Sequence, residues 1–345
     1  MDEILPYPFL AIVGQAELKT ALVLALVNPR IGGVLLIGPY GVGKTTAVRG
    51  LVDIMPTIER EELDEQGQPV MRRVPMRIIE LPLNARMEDV VGGINERVAL
   101  EQQRVLLEDG VLARAHRNLL YIDEVNLLDA RVIDAILDAA AQGRTFVRRG
   151  AMTRLYPSQF VLVGSMNPEE GRLRPQILDR FGLRVWVAPL ADMQQRLEIY
   201  HRMRAFRDDP QAFRERYADE TAKLRQEIVA AREVLPHVNV PQAAEEFALR
   251  CIQELKIPSH RAEIALLEAA RARAAAEFRV EVTVDDVATI APLALRQRRS
   301  LPIEDYAVQM ADEDATIAAA LAKIGAPAPP AKPRARRRTR TERLP

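Results

Sequence analysis

Four apolar residues, Val34-Leu35-Leu36-Ile37, run directly into Gly38-Pro39-Tyr40-Gly41-Val42-Gly43-Lys44-Thr45. No other stretch of the chain constrains its fold as tightly. The spacing G-x-x-x-x-G-K-[ST] after a buried strand predicts a glycine loop that opens onto a helix near Lys44. Such a turn aims backbone N–H groups and a helix N-terminus at one point, which suits a polyphosphate. The loop residues Gly38, Tyr40, Gly41, Val42 and Gly43 would wrap the phosphates, with Lys44 reaching the β- and γ-phosphates. The Thr45 hydroxyl would ligate Mg²⁺, with Thr46 beside it. A chance glycine-rich turn is the competing explanation, and the strand before and helix after weigh against it.

Short apolar runs alternate with helix-type segments as far as about residue 190, which predicts an α/β fold with a parallel sheet flanked by helices. The expected strands are 34–37, 77–81, 119–122, 160–165 and 183–187. Residues 60–73, polar and interrupted by Gly67 and Pro69, read as a loop or short insertion. Residues 143–158 read as a hairpin turning near Gly150. Past Pro189 the pattern becomes helical: Phe213, Tyr217, Leu224 and Ile228 recur at helical spacing between Pro210 and Pro236. Helices are expected over 242–255, 261–278 and 284–295, the last with Thr283 and Asp286 as a capping pair. The resulting organisation is a nucleotide-binding α/β domain over 1–190, a helical linker over 191–240 and a lid over 241–300. A helical extension over 301–324 and a disordered basic tail over 325–345 complete it.

A second apolar strand, Leu119-Leu120-Tyr121-Ile122, ends in Asp123 and Glu124. Acids at the carboxyl edge of an open α/β sheet stand where ligands bind. Asp123 would hold Mg²⁺ and Glu124 would polarise the attacking water. Strand 160–165 delivers Asn167, whose amide could orient that water; a turn asparagine before Pro168 is the plainer alternative. Arg180, in Leu173-Arg174-Pro175-Gln176-Ile177-Leu178-Asp179-Arg180-Phe181, could reach across a subunit boundary to a neighbour's γ-phosphate, or pair locally with Asp179. Arg261, at a helix start, could touch nucleotide from the lid or be solvated.

Composition narrows the classes further. The net charge is zero over 345 residues, but seven basic residues after Gly325 against Glu342 put +6 on the tail and −6 on the remainder. A mildly acidic body argues against a nucleic-acid motor, although Arg148, Arg149, Arg154 and the tail keep that alternative open. Cys251 is the sole cysteine, which suits a reducing compartment. With no secretion signal and no apolar run of membrane-spanning length, the chain reads as cytoplasmic. His116, His201, His237 and His260 are scattered without metal-ligand spacing.

Together these residues resemble the AAA+ ATPases, and among them the magnesium chelatase ATPase (I) subunit. Phe9-Leu10-Ala11-Ile12-Val13-Gly14-Gln15 is similar to the family's opening segment, whose backbone, Val13 included, would line the adenine pocket. Tyr121-Ile122-Asp123-Glu124-Val125-Asn126-Leu127-Leu128 resembles its Walker B stretch. Asn167-Pro168-Glu169-Glu170-Gly171 and the residues up to 182 resemble its sensor 1 and arginine-finger region. The resemblance implies that residues 81–95 belong to an insertion, that 143–158 form the hairpin before sensor 1, and that Arg261 is the sensor 2 arginine. It further implies a homo-oligomeric ring, a hexamer, with ATP and Mg²⁺ bound between protomers and Arg180 completing the neighbour's site. The implied work is Mg²⁺ insertion into protoporphyrin IX with D-type and H-type partner subunits. A chaperone-type (MoxR-like) AAA+ ATPase acting on another target is the alternative.

Overall fold

The computed structural model describes residues 5–63, 68–94, 101, 107–149 and 152–300, together with 310, 312, 313, 315 and 316. The chain divides into residues 1–299 and 300–345. Of the second unit's described residues, Ser300 is irregular and 310, 312, 313, 315 and 316 are helical; the rest of the expected extension, and the whole expected tail, lie outside the described residues.

Eleven strands are described: β1 (Val34–Ile37), β2 (Thr57–Leu63), β3 (Pro69–Pro75), β4 (Ile78–Leu81), β5 (Gly92–Ile94), β6 (Leu107–Asp109), β7 (Leu119–Ile122), β8 (Arg144–Arg149), β9 (Met152–Pro157), β10 (Val161–Met166) and β11 (Leu183–Trp186). Five of them make one parallel sheet in the order β11-β1-β10-β7-β4. All four residues of β1 and of β7 are buried, as expected of strands covered on both faces. The side-chain period of two divides them between two cores. Val34, Leu36, Leu119 and Tyr121 face one cluster, while Leu35, Ile37, Leu120 and Ile122 face the other. The five strands expected from the sequence all form, within a residue or two at their ends.

The two cores have different partners. The second packs the helix Ala130–Gln142 through Val132, Ile133, Ile136 and Leu137. The first joins the sheet to the helix Ala16–Val27 and to Ile228, Ala248, Leu266, Ala269 and Ile290 of the helical part. The helical part begins with Met193–Asp208 and continues through Pro210–Glu215, Ala218–Val234, Gln242–Glu254, His260–Ala276 and Val284–Leu295. Seven buried alanines in His260–Ala276 leave no bulk between that helix and its neighbours. The expected capping box forms: the Thr283 Oγ1 accepts from the Asp286 N–H at 3.2 Å, and Asp286 accepts from the Thr283 N–H at 2.8 Å.

One expectation is corrected. Of the segment 60–73, residues 60–63 and 69–73 are not loop but strand, paired antiparallel as parts of β2 and β3 in register from Thr57↔Pro75 to Leu63↔Pro69, and 64–67 lie outside the described residues. Their ladder opposes Glu59 to Arg73, and Ile58 with Val74 supplies its contact with the core. Cross-strand pairing holds the strands together beyond that contact. The hairpin over 143–158 forms as β8 and β9, with the residues at Gly150 outside the description. Residues 81–94 hold a short helix, Met87–Val91, and β5, which pairs with β6. No helix among the described residues is long and apolar enough to cross a membrane.

Candidate functional site

β1 leaves the sheet between β10 and β11, and Gly38 passes where nothing larger can. A Cβ there would lie 2.3 Å from the Val187 carbonyl oxygen. At the far end of the loop Gly43 adopts φ +88° and caps the helix Lys44–Gly50, a conformation natural to glycine. A Cβ on Gly43 would project into open space, the space the loop leaves for a ligand. Lys44 is 8% exposed. Its Nζ donates to the Gly38 carbonyl and, at 2.8 Å, to the Pro39 carbonyl. Burial pushes its ammonium pKa down, against the pull of Asp123 and Glu124. Tyr40, at the loop tip, has its pKa pushed up to about 12, first by the adjacent Glu170.

Asp123 is the centre of a cage of hydroxyls. Its carboxylate accepts from Thr45 Oγ1 at 3.2 Å, from the Tyr121 hydroxyl at 2.8 Å, and from Ser165 Oγ. Ser165 Oγ in turn accepts the Glu124 N–H at 3.1 Å. Burial pushes the Tyr121 phenol pKa well up, so it remains a donor. Glu124 stands in the left-handed region at φ +53°, an uncommon conformation that clusters at functional sites. Its carboxylate makes no hydrogen bond among the described residues.

Asn167 is 1% exposed. Its Oδ1 accepts from the Glu169 N–H at 3.1 Å, while its Nδ2 is buried without a hydrogen-bond partner. An orphaned buried donor is costly, and a ligand oxygen or a water at the site would satisfy it. The oxygen atoms of Thr45 and Asp123 lie together beside the loop and are of the kind a hard cation takes, so the group fits a magnesium-bound nucleoside triphosphate.

A cleft of about 530 Å³ adjoins the loop, within the range of small-molecule sites. Val13, Gly41, Val42, Gly43 and Thr46, all expected from the sequence to contact nucleotide, are among its lining residues. Arg196, Ile199, Tyr200 and Met203, from the first helix of the helical part, close its other side. Gln15 fixes the opening segment by donating to the Ala188 carbonyl at 2.8 Å.

Thus Lys44, Thr45, Asp123, Glu124 and Asn167 converge around one loop. Arg180 and Arg261 make no hydrogen bond or ion pair with that group. Arg180 is paired with Asp138 of its own chain, and Arg261 lies 3.5 Å from Asp179. Asp179 also accepts from Ser259 at 2.7 Å and from the buried Arg298 at 2.7 Å. Sequence reasoning missed Tyr121, Ser165 and Arg196. The first two carried one signal: Tyr121 lies two residues before Asp123, and β10 runs beside β7 in parallel.

Comparisons with known proteins find relatives over most of the chain. The family profile for magnesium chelatase, subunit ChlI matches residues 9–175, and that for an AAA lid domain matches 246–320. A magnesium-chelatase subunit ChlI homolog of Methanocaldococcus jannaschii is 43% identical over 317 residues, covering 86% of this chain and 87% of that protein. The magnesium-chelatase 38 kDa subunit of Acidiphilium rubrum is 42% identical over 320 residues, covering 87% and 93%. A crystal structure from Cytophaga hutchinsonii shares the fold at 20% identity, covering 84% of each chain with a TM-score of 0.56.

Proposed function

This chain belongs to the magnesium chelatase ChlI subunit family, and we propose that it is the ATP-hydrolysing motor for Mg²⁺ insertion into protoporphyrin IX. It works with D-type and H-type partner subunits, in the cytoplasm, on the route to chlorophyll or bacteriochlorophyll. The observation that carries this reading is the reach of the likeness: 42% identity extends over 93% of a magnesium-chelatase 38 kDa subunit, far beyond the nucleotide loop.

The residues divide the work. Backbone N–H groups of the loop and Lys44 Nζ hold the phosphate chain, Lys44 exchanging its two carbonyl partners for phosphate oxygens. Thr45 Oγ1 and Asp123 hold Mg²⁺, which supplies charge neutralisation to the phosphate oxygens. Glu124 accepts the proton of the attacking water, and Asn167 Nδ2 orients it. Val13 and Thr46 line the nucleotide pocket. Arg180 leaves Asp138 to reach the nucleotide of a neighbouring protomer, and Arg261, now beside Asp179, serves as the lid's sensor 2 arginine and contacts nucleotide from the helical part. Head-to-tail interfaces of this kind close into rings, here a hexamer.

The test is reconstitution of the full chain with D-type and H-type subunits, protoporphyrin IX, Mg²⁺ and ATP, followed by porphyrin fluorescence. ATP-dependent magnesium porphyrin should appear, and should not appear with Lys44→Ala. ATP turnover that ignores both partners, with no metalloporphyrin formed, would refute the chelatase reading and favour a chaperone-type ATPase.

A further inference from the structure

At the amino edge of the sheet, away from the nucleotide loop, lies a cavity of about 700 Å³. Its floor consists of residues that lead into three adjacent central strands: Asn28 and Arg30 before β1, Arg117 before β7, and Phe160 before β10. Its opposite wall comes from the helical part, through Arg232, Glu268 and Arg271.

The charges on this wall are unevenly matched. Glu268 is fully engaged: it accepts from Arg271 at 3.0 Å and from Asn28 Nδ2 at 2.7 Å. Arg271 also donates to the carbonyls of Val238 and Leu235 at 3.2 and 3.1 Å. Arg232 is different. Its Nε donates to the Leu26 carbonyl at 2.7 Å, and its two terminal nitrogens make no hydrogen bond or ion pair among the described residues. Burial pushes its pKa down, and no carboxylate offsets the effect. Across the floor, Arg117 donates one nitrogen to the Glu59 carbonyl at 2.6 Å and is held at φ +62°. The Arg30 side chain likewise has no ion pair among the described residues.

A guanidinium drawn out of water is costly unless an anion accompanies it. Its planar fork matches phosphate and carboxylate oxygens two at a time. We propose that this cavity binds a small polyanion carrying at least two phosphate or carboxylate groups, held between Arg232 on one wall and Arg30 and Arg117 on the other. Ile58, Phe160 and Leu235 give the ligand an apolar flank. The site takes no part in ATP hydrolysis and stands whether or not the chain is a chelatase motor.

The experiment uses the full chain saturated with ADP and Mg²⁺, so that the nucleotide loop is already filled. Inorganic pyrophosphate and citrate are titrated separately by calorimetry, with melting temperature as a second readout. One site per chain is expected for at least one probe, and the preferred probe distinguishes phosphate from carboxylate chemistry. Arg232→Met should weaken binding by about tenfold or more and remove the rise in melting temperature, with ADP affinity unchanged. Should that variant fail to fold, the exposed pair Arg30→Ala with Arg117→Ala should produce the same loss. Absence of binding by either probe up to about 10 mM, or equal affinity in the wild type and the variants, would overturn the proposal.

Discussion

The two edges of the parallel sheet make a useful contrast. At the carboxyl edge Lys44 rests on loop carbonyls and Asp123 is caged by three hydroxyls. At the amino edge Arg232 faces a larger cavity with a single backbone partner. The carboxyl edge is assembled from residues that directly follow strands, so its chemistry is contiguous in sequence. The amino edge draws one residue at a time from separated segments, among them Arg30, Arg117 and Arg232. A short motif exposes the first kind of site, whereas only the folded chain exposes the second.

Substitutions can break this contrast. The largest effect belongs to Arg180→Ala, for which we expect a loss of about 10³- to 10⁵-fold in ATP turnover with nucleotide binding retained. Mixing it with Lys44→Ala subunits should restore activity, because each variant supplies what the other lacks; no recovery would place the finger elsewhere. Lys44→Ala alone should lower turnover by about 10³-fold or more, whereas Arg232→Met should leave basal turnover within about twofold. An equal fall in both would erase the division between the edges.

Smaller effects sharpen the picture. Tyr121→Phe removes one donor from Asp123 and should raise the Mg²⁺ concentration needed for half-maximal turnover by about tenfold. An unchanged Mg²⁺ requirement would reduce Tyr121 to core packing. Asp286→Asn tests the helical part alone. Burial pushes the Asp286 pKa up, but hydrogen bonds from Arg279 and Thr283 outweigh it and hold the pKa at about 2, against 3.8 for the free side chain. A depressed carboxyl pKa stabilises the fold above about pH 4 and loses that contribution as pH falls through about 2. The group therefore contributes about 2 kcal/mol at neutral pH. Urea unfolding at pH 7 should show that loss in the variant, and the gap should narrow toward pH 2.

The strands were legible because burial on both faces turns them into continuous apolar runs. The helix Ala16–Val27 was not read from the sequence, since seven of its twelve residues are buried and a helix surrounded by core shows no amphipathic period. The β2–β3 hairpin was misread for the opposite reason: exposed along most of its length, it carries little apolar signal. Lys44, Asp123 and Glu124 announced themselves by spacing. Tyr121 and Ser165 did not, because a hydroxyl-bearing residue inside a strand reads as core filling until the neighbouring strand sets its register. Arg196 joins the cleft beside the glycine loop only through the packing of the helical part, which no local pattern encodes.

Asp179 has a consequence for how such a subunit would behave among copies of itself. It sits next to Arg180 in sequence, yet it is bound by Ser259, Arg261 and Arg298 of the helical part. Arg298 also grips the carbonyls of Phe181 and Gly182 at 2.9 and 3.1 Å. With Arg180 serving a neighbour's nucleotide as proposed, a displacement of that arginine reaches this chain's own helices through one carboxylate, bypassing its own glycine loop. Information would then pass around the ring in one direction, each subunit registering its neighbour's hydrolysis before its own.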